Sequence, residues 1–205
     1  MRIKLCGIDN PDLAKCALNA GADLIGVVLT PTSRRYVPIA TASIIVKAIQ
    51  RENSTPVLVF RDEPFAVIAA LAHELGDCIV QFQGGKRDDI HKLTAKFNSI
   101  VAFSAEEFVH MPIAYKKLFA NQSGKRKSML LIDSQNPGSG KTFCWHKIEP
   151  PNVPWFLAGG LHSENVQQAI DQLNPTGVDV STGIENNQGK KDLAKILAFI
   201  RAVRN

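Results

Sequence analysis

The chain is 205 residues long, with 45% apolar and 21% charged residues, a globular balance that excludes collagen-like, low-complexity and largely disordered classes. One domain spanning 1–205 is expected at this length, with a core large enough to need no disulfide or metal staple. The net charge of +5 and pI of about 9.1 fit either a nucleic-acid binder or an enzyme for anionic metabolites.

The first residues, Met1-Arg2-Ile3-Lys4-Leu5-Cys6-Gly7, break their apolar run too early for a signal-peptide core. No stretch approaches the ~18 apolar residues of a membrane span. Cys6, Cys16, Cys78 and Cys144 form no CxxC pair, so a zinc ribbon or disulfide framework is not expected. A reduced, cytoplasmic protein follows, with no membrane partner.

Strands are predicted at 3–6, 24–28, 57–60, 78–81, 100–103, 129–133, 155–158 and 178–181, each a short β-branched or apolar run. Helical patterns lie between most of them. The first, 11–19, follows Asn10 as N-cap and opens on Pro11. Others are expected at 39–50, 64–75, 88–97, 105–120, 163–173 and 189–203. Residues 134–148, with Pro137, Gly138 and Gly140, read as a long loop. The basic run Lys125-Arg126-Lys127 sits in a loop without interleaved aromatics, so it offers no base-stacking platform.

Strands alternating with helices imply parallel pairing, since each parallel return needs a crossover. A closed (β/α)8 TIM barrel competes with an open doubly wound sheet. Eight units, and no GxGxxG after any strand, favour the barrel, at the compact end of that fold. Its site then lies at the carboxyl ends of the strands. Cys6 ends the first, Asp133 the sixth, Ala158-Gly159-Gly160 the seventh and Ser181-Thr182-Gly183 the eighth.

Alternation turns Ile3, Leu5, Val178 and Val180 toward the helices, and Lys4, Cys6, Asp179 and Ser181 into the barrel. A buried lysine needs a partner. Either Lys4 pairs with Asp179 or Asp179 meets a substrate hydroxyl; a Lys4 on the outer face would instead snorkel to water. The paired glycines suit close approach of backbone N–H groups to an anion, although such pairs are also plain turns. Arg34 and Arg35 after the second strand are either a carboxylate-binding fork or solvated loop residues. Cys6 by itself is either a reactive thiol or a core one. Cys16 and Cys78 are expected in the core, and the five histidines are too scattered for a metal set.

Together these segments resemble the phosphoribosylanthranilate isomerases of tryptophan biosynthesis. The resemblance runs through KLCGI at 4–8, AGADLIGVV at 20–28, SRRYV at 33–37, VQFQG at 80–84 and LLID at 130–133. It continues with GSGKTFCW at 138–145, LAGGLHSENV at 157–166, GVDVSTGIE at 177–185 and GKKD at 189–192. It implies a barrel that converts N-(5-phosphoribosyl)anthranilate into 1-(2-carboxyphenylamino)-1-deoxyribulose 5-phosphate by an Amadori rearrangement, with no metal and no organic cofactor. It further implies Cys6 as general base and Asp133 as general acid. Arg35 would hold the anthranilate carboxylate, Asp179 and Gln81 would bind substrate, and Gly159, Gly160, Ser181, Thr182 and Gly183 the phosphate. The expected partner is a small phosphosugar, not nucleic acid, and the expected state a monomer or homodimer.

Four positions depart from that pattern. Asp9 replaces a common threonine and would raise the pKa of Cys6 if close to it. Gln83 stands in place of a histidine, Arg61 in place of a small or polar residue, and Cys144 in place of an acid or amide. A histidine-pathway isomerase would use two aspartates where this chain has Cys6, and a pentose-phosphate epimerase would need metal ligands at strand ends. A non-catalytic anion- or nucleic-acid-binding barrel is the rival of another class, and would bind duplexes with a steep salt dependence.

Overall fold

The computed structural model describes residues 1–84, 87–111, 119, 126–134 and 148–205. Eight parallel strands close in sequence order: β1 Arg2–Cys6, β2 Leu24–Val28, β3 Val57–Arg61, β4 Ile79–Gln83, β5 Ser99–Ser104, β6 Ser128–Asp133, β7 Trp155–Leu157 and β8 Gly177–Val180. Helices Pro11–Asn19, Ile39–Arg51, Phe65–Leu75, Arg87–Lys96, Ala105–Val109, Val166–Leu173 and Leu193–Arg204 lie between or after them. The closed (β/α)8 barrel is the expected fold.

Local chemistry sets the element ends. The Asn10 side chain accepts from the N–H groups of Asp12 and Leu13 at 2.9 and 3.0 Å, with Pro11 in the first turn where its missing N–H costs nothing. Ser104 and Glu107 form a reciprocal capping box on Ala105–Val109. Asp192 caps Leu193–Arg204 by accepting from Lys195 N–H, which is why that helix starts later than residue 189. β4 starts one residue later and runs two further than the predicted 78–81, because Phe82 and Gln83 keep the pleat and pair with Val101 and Ala102. Of the predicted helix at 105–120, residues 105–111 and Phe119 are described, and the helix there spans Ala105–Val109. Residues 135–147 of the expected loop lie outside the described residues, as does Lys125 of the basic run.

Alternation divides the apolar side chains into two bodies. Ile3, Leu5, Val178 and Val180 belong to the large core between barrel and helices. Leu24, Val57, Ile100, Leu131 and Phe156 fill the interior. Cys78 is buried as expected, but Cys16 is exposed, contrary to expectation. On that helix the buried face is carried by Ala14 and Ala17, and Cys16 falls beside it.

Above the apolar floor sits a charge. Lys4 is fully buried, opposite Asp179 in the β1–β8 register, and its Nζ donates to Asp179 Oδ1 at 2.8 Å. Breaking such a pair leaves one charge stranded. Asp179→Ala is therefore expected to cost about 3–5 kcal/mol in urea unfolding, while Lys4→Met combined with Asp179→Leu recovers most of it. Wild-type stability in Asp179→Ala would contradict the pairing.

Candidate active site

Cys6 and Asp133, set far apart in the chain, both end strands at the same rim of the barrel. Cys6 is buried beneath a cleft of roughly 270 Å³ whose lining includes Val28, Arg35, Arg61, Gln81 and Ser181. Ser181 Oγ donates to the Cys6 carbonyl at 3.0 Å, tying the β8 loop to the end of β1. Across the pair, Gly26 makes room: a Cβ there would stand 3.2 Å from Cys6 Sγ and 3.3 Å from Lys4 Nζ. Thiol and ammonium therefore share one packed volume.

Their titration is coupled. Burial pushes the Cys6 thiol above its ordinary range; Lys4 and Lys191 oppose that, and Asp179 adds to it. Burial also disfavours the Lys4 ammonium, but Asp179 and Cys6 outweigh it and hold the pKa above the usual lysine value. Asp9, which would have raised the thiol pKa from nearby, is exposed; the carboxylate that acts on Cys6 is Asp179.

Asp133 is pushed up to about 6, chiefly by burial, although Oδ1 accepts from Ser134 N–H at 2.7 Å and from Ser134 Oγ at 3.3 Å. A carboxyl in this range can hold a proton near neutral pH and release it.

The loops after β7 and β8 form a recess whose lining includes Gly159, Gly160, Leu161, Asp179, Ser181, Thr182 and Gly183. Gly159 and Gly160 have φ of +92° and +65°, a left-handed pair that L side chains rarely adopt. A Cβ on Gly183 would lie 1.9 Å from the Leu161 carbonyl oxygen, so only glycine lets the two loops approach this closely. Asn165 holds the first loop from behind, accepting from His162 N–H at 2.8 Å and donating to the Gly160 carbonyl at 3.0 Å.

Arg35 reaches from the loop after β2 to the loop after β8. Its Nε donates to Glu185 Oε1 at 2.6 Å and its Nη2 to Thr182 Oγ1 at 2.9 Å. Arg34 donates to the other oxygen of Glu185, and Lys191 Nζ donates to Glu185 Oε1 and to the Ser181 carbonyl at 2.9 and 2.8 Å. Burial works against the Glu185 charge, but Arg35 and Lys191 prevail and hold its pKa at about 2. Burial in turn lowers the Lys191 pKa, with Glu185 resisting.

All ten sequence candidates lie at this end of the barrel. Gln81 is 5% exposed, and its Oε1 has no hydrogen-bond partner among the described residues. Glu185 and Lys191 stand within the GVDVSTGIE and GKKD segments, and the sequence alone does not single them out. Two arginines in one loop needed an acceptor, and that was the available signal. Arg61 and Gln83 are bonded to each other, while Cys144 lies outside the described residues.

Known proteins carry the same architecture. A family model for N-(5'-phosphoribosyl)anthranilate (PRA) isomerase matches residues 3–202. The isomerase of Desulforamulus reducens is 36% identical over all of this chain and 95% of its own length, and that of Aquifex aeolicus 32% over 100% and 99%. The crystal structure of the Thermotoga maritima phosphoribosyl anthranilate isomerase superposes with a TM-score of 0.86 at 30% identity, covering 100% of this chain and 98% of that one. A further isomerase structure, with TM-score 0.80, 28% identity and coverage of 100% and 98%, is a complex with reduced 1-(o-carboxyphenylamino)-1-deoxyribulose 5-phosphate.

The raised Asp133 pKa has a consequence for folding. An unfolded aspartate titrates near ~3.9. Below that, both states are protonated and the residue costs nothing. As pH rises from about 4 to 6 the unfolded carboxyl ionises first, so stability falls and then stays level. Asp133→Asn should therefore be more stable than wild type at pH 7.5 by on the order of 2 kcal/mol in urea unfolding, with the gain vanishing near pH 4. A variant less stable at both pH values would contradict the assignment.

Proposed function

The chain belongs to the N-(5'-phosphoribosyl)anthranilate isomerase family, and from that membership we propose how its own residues carry the reaction. The activity is the cofactor-independent isomerisation of N-(5-phosphoribosyl)anthranilate to 1-(2-carboxyphenylamino)-1-deoxyribulose 5-phosphate, a step of tryptophan biosynthesis. The observation that carries the assignment of roles is the placement of a buried thiol and a carboxyl of raised pKa at strand ends of one rim, beside a recess of glycine amides.

Asp133 gives its proton to the furanose ring oxygen. The C1'–O bond breaks, the nitrogen lone pair forms C1'=N, and the ring opens to a protonated Schiff base. Cys6 as thiolate takes the C2' proton, and the electrons of that C–H bond flow toward nitrogen to give an enolamine. Loss of the C2' hydroxyl proton and gain of one at C1' complete the ketone. C2' is oxidised and C1' reduced, so no outside electron acceptor is needed.

Two buried ammonium groups, Lys4 and Lys191, favour the thiolate over what burial alone would allow. The thiolate is still the minor form at neutral pH, so positioning counts heavily. The amides of Gly159, Gly160 and Gly183, with Ser181 and Thr182, hold the phosphate. Arg35 holds the aryl carboxylate, and Asp179 has one oxygen on Lys4 and the other for a sugar hydroxyl. The unpaired Gln81 Oε1 suits the N–H of the amine, which gains charge as the Schiff base forms. Contacts at both ends of the substrate fix the reacting carbons between acid and base. The same reading places the enzyme in the cytoplasm, acting as a monomer or homodimer without nucleic acid.

Purified protein is expected to isomerise freshly made phosphoribosylanthranilate with chelator present, followed as loss of substrate fluorescence. Cys6→Ser and Asp133→Asn should each lower kcat by ~10²-fold or more. Near-full rates in both variants would overturn the roles, and an inactive wild type the activity.

A further inference from the structure

The cleft holds a third arginine whose charge is not shared with Glu185. Arg61 ends β3 and lines the same cleft as Cys6, Arg34 and Arg35. Its Nη2 donates to Gln83 Oε1 at 3.1 Å, the residue opposite it in the β3–β4 register. Among the described residues, no carboxylate lies within ion-pair distance of its guanidinium.

The backbone beneath it is fixed. Arg61 N–H donates both to Thr30 Oγ1 at 2.8 Å and to Glu63 Oε2 at 2.6 Å, and Thr30 Oγ1 donates to the same Glu63 oxygen at 3.1 Å. The Glu63 carboxylate is thus engaged with the main chain of Arg61 rather than its charge, and the Asp62 carboxylate lies against Gly84. Arg34 and Arg35 differ, since both are bound to Glu185. A guanidinium in a cleft, braced by a neutral amide, favours an anion. Beside it on the next strand, the buried and unpartnered Gln81 Oε1 lines the same space, an independent sign that this end of the cleft is built around a ligand. With its oxygen on Arg61, the Gln83 amide nitrogen remains a further donor.

We propose that Arg61, braced by Gln83, is a second contact for the aryl carboxylate of the substrate, acting with Arg35 and setting specificity in this chain. The inference rests on the function proposed above. Arg35 meets the carboxylate with its charge partly balanced by Glu185; Arg61 adds one that no described carboxylate shares. The departures at 61 and 83 thereby form one unit, because one side chain holds the other.

Calorimetric titration separates this role from general electrostatics. The probes are reduced 1-(o-carboxyphenylamino)-1-deoxyribulose 5-phosphate and its counterpart built on aniline, which lacks the carboxylate. Arg61→Gln is expected to weaken the first about tenfold and to leave the second within about twofold. Gln83→Leu, which keeps the charge but removes its brace, should weaken only the first, by a smaller factor. In turnover, Arg61→Gln should raise KM about tenfold with kcat within about twofold, as expected for a contact made equally in ground and transition states. Unchanged affinity for both probes, or equal weakening of both, overturns the proposal while leaving the isomerase reading intact. A wild-type protein that binds neither probe overturns both.

Discussion

One buried ion pair governs this molecule. Lys4 is completely enclosed at the centre of a barrel whose floor is hydrocarbon, and Asp179 on the adjoining strand makes its charge tolerable. A charge in that position is costly unless paired and hydrogen-bonded. The pair therefore specifies the β1–β8 register at the seam where the barrel closes, since a slip of one residue would turn Lys4 into the apolar layer beneath the helices. It also sets the electrostatics of the residue two places on. Cys6 faces the same interior, and its thiol answers to the ammonium below it.

The surroundings then divide the carboxyl groups by task. Glu185 and Asp133 belong to the same chemical class and both lie at the rim. Glu185 is surrounded by Arg34, Arg35 and Lys191, and stays ionised with a pKa of about 2. Asp133 has backbone and hydroxyl donors but, among the described residues, no cation bonded to it, and desolvation lifts it to about 6. One is an anchor that holds cations in place; the other can exchange a proton. Environments that drive two carboxyls in opposite directions are how one fold assigns different duties to like groups.

Much of this was readable from the residues. The alternation Ile3-Lys4-Leu5-Cys6 against Val178-Asp179-Val180-Ser181 identified the inward side of two strands, and their adjacency in a closed barrel brought Lys4 to Asp179. Gly159, Gly160 and Gly183 signal a recess because, without a Cβ, their backbone N–H groups can come close to an anion. The Glu185 hub was hidden because its partners come from residues 34, 35 and 191, and only the folded chain brings those loops together. Cys16 was misplaced for a smaller reason: on a nine-residue helix with alanines on its buried face, periodicity does not separate a face from its edge. The end of β4 was set too early because a strand's length depends on its neighbours, and Gln83 continues the ladder through Arg61 and Ala102.

Catalysis here requires the thiol, the carboxyl and the glycine amides to converge on one ligand. A crystal structure of the wild-type protein with the reduced product analogue tests that most directly. The ligand's phosphate is expected on the amides of Gly159, Gly160 and Gly183. Cys6 Sγ and the Asp133 carboxyl are expected at about 3–3.5 Å from the atoms that would exchange protons. A ligand seated with its phosphate away from those loops, or with either side chain out of contact with the sugar, would contradict that convergence.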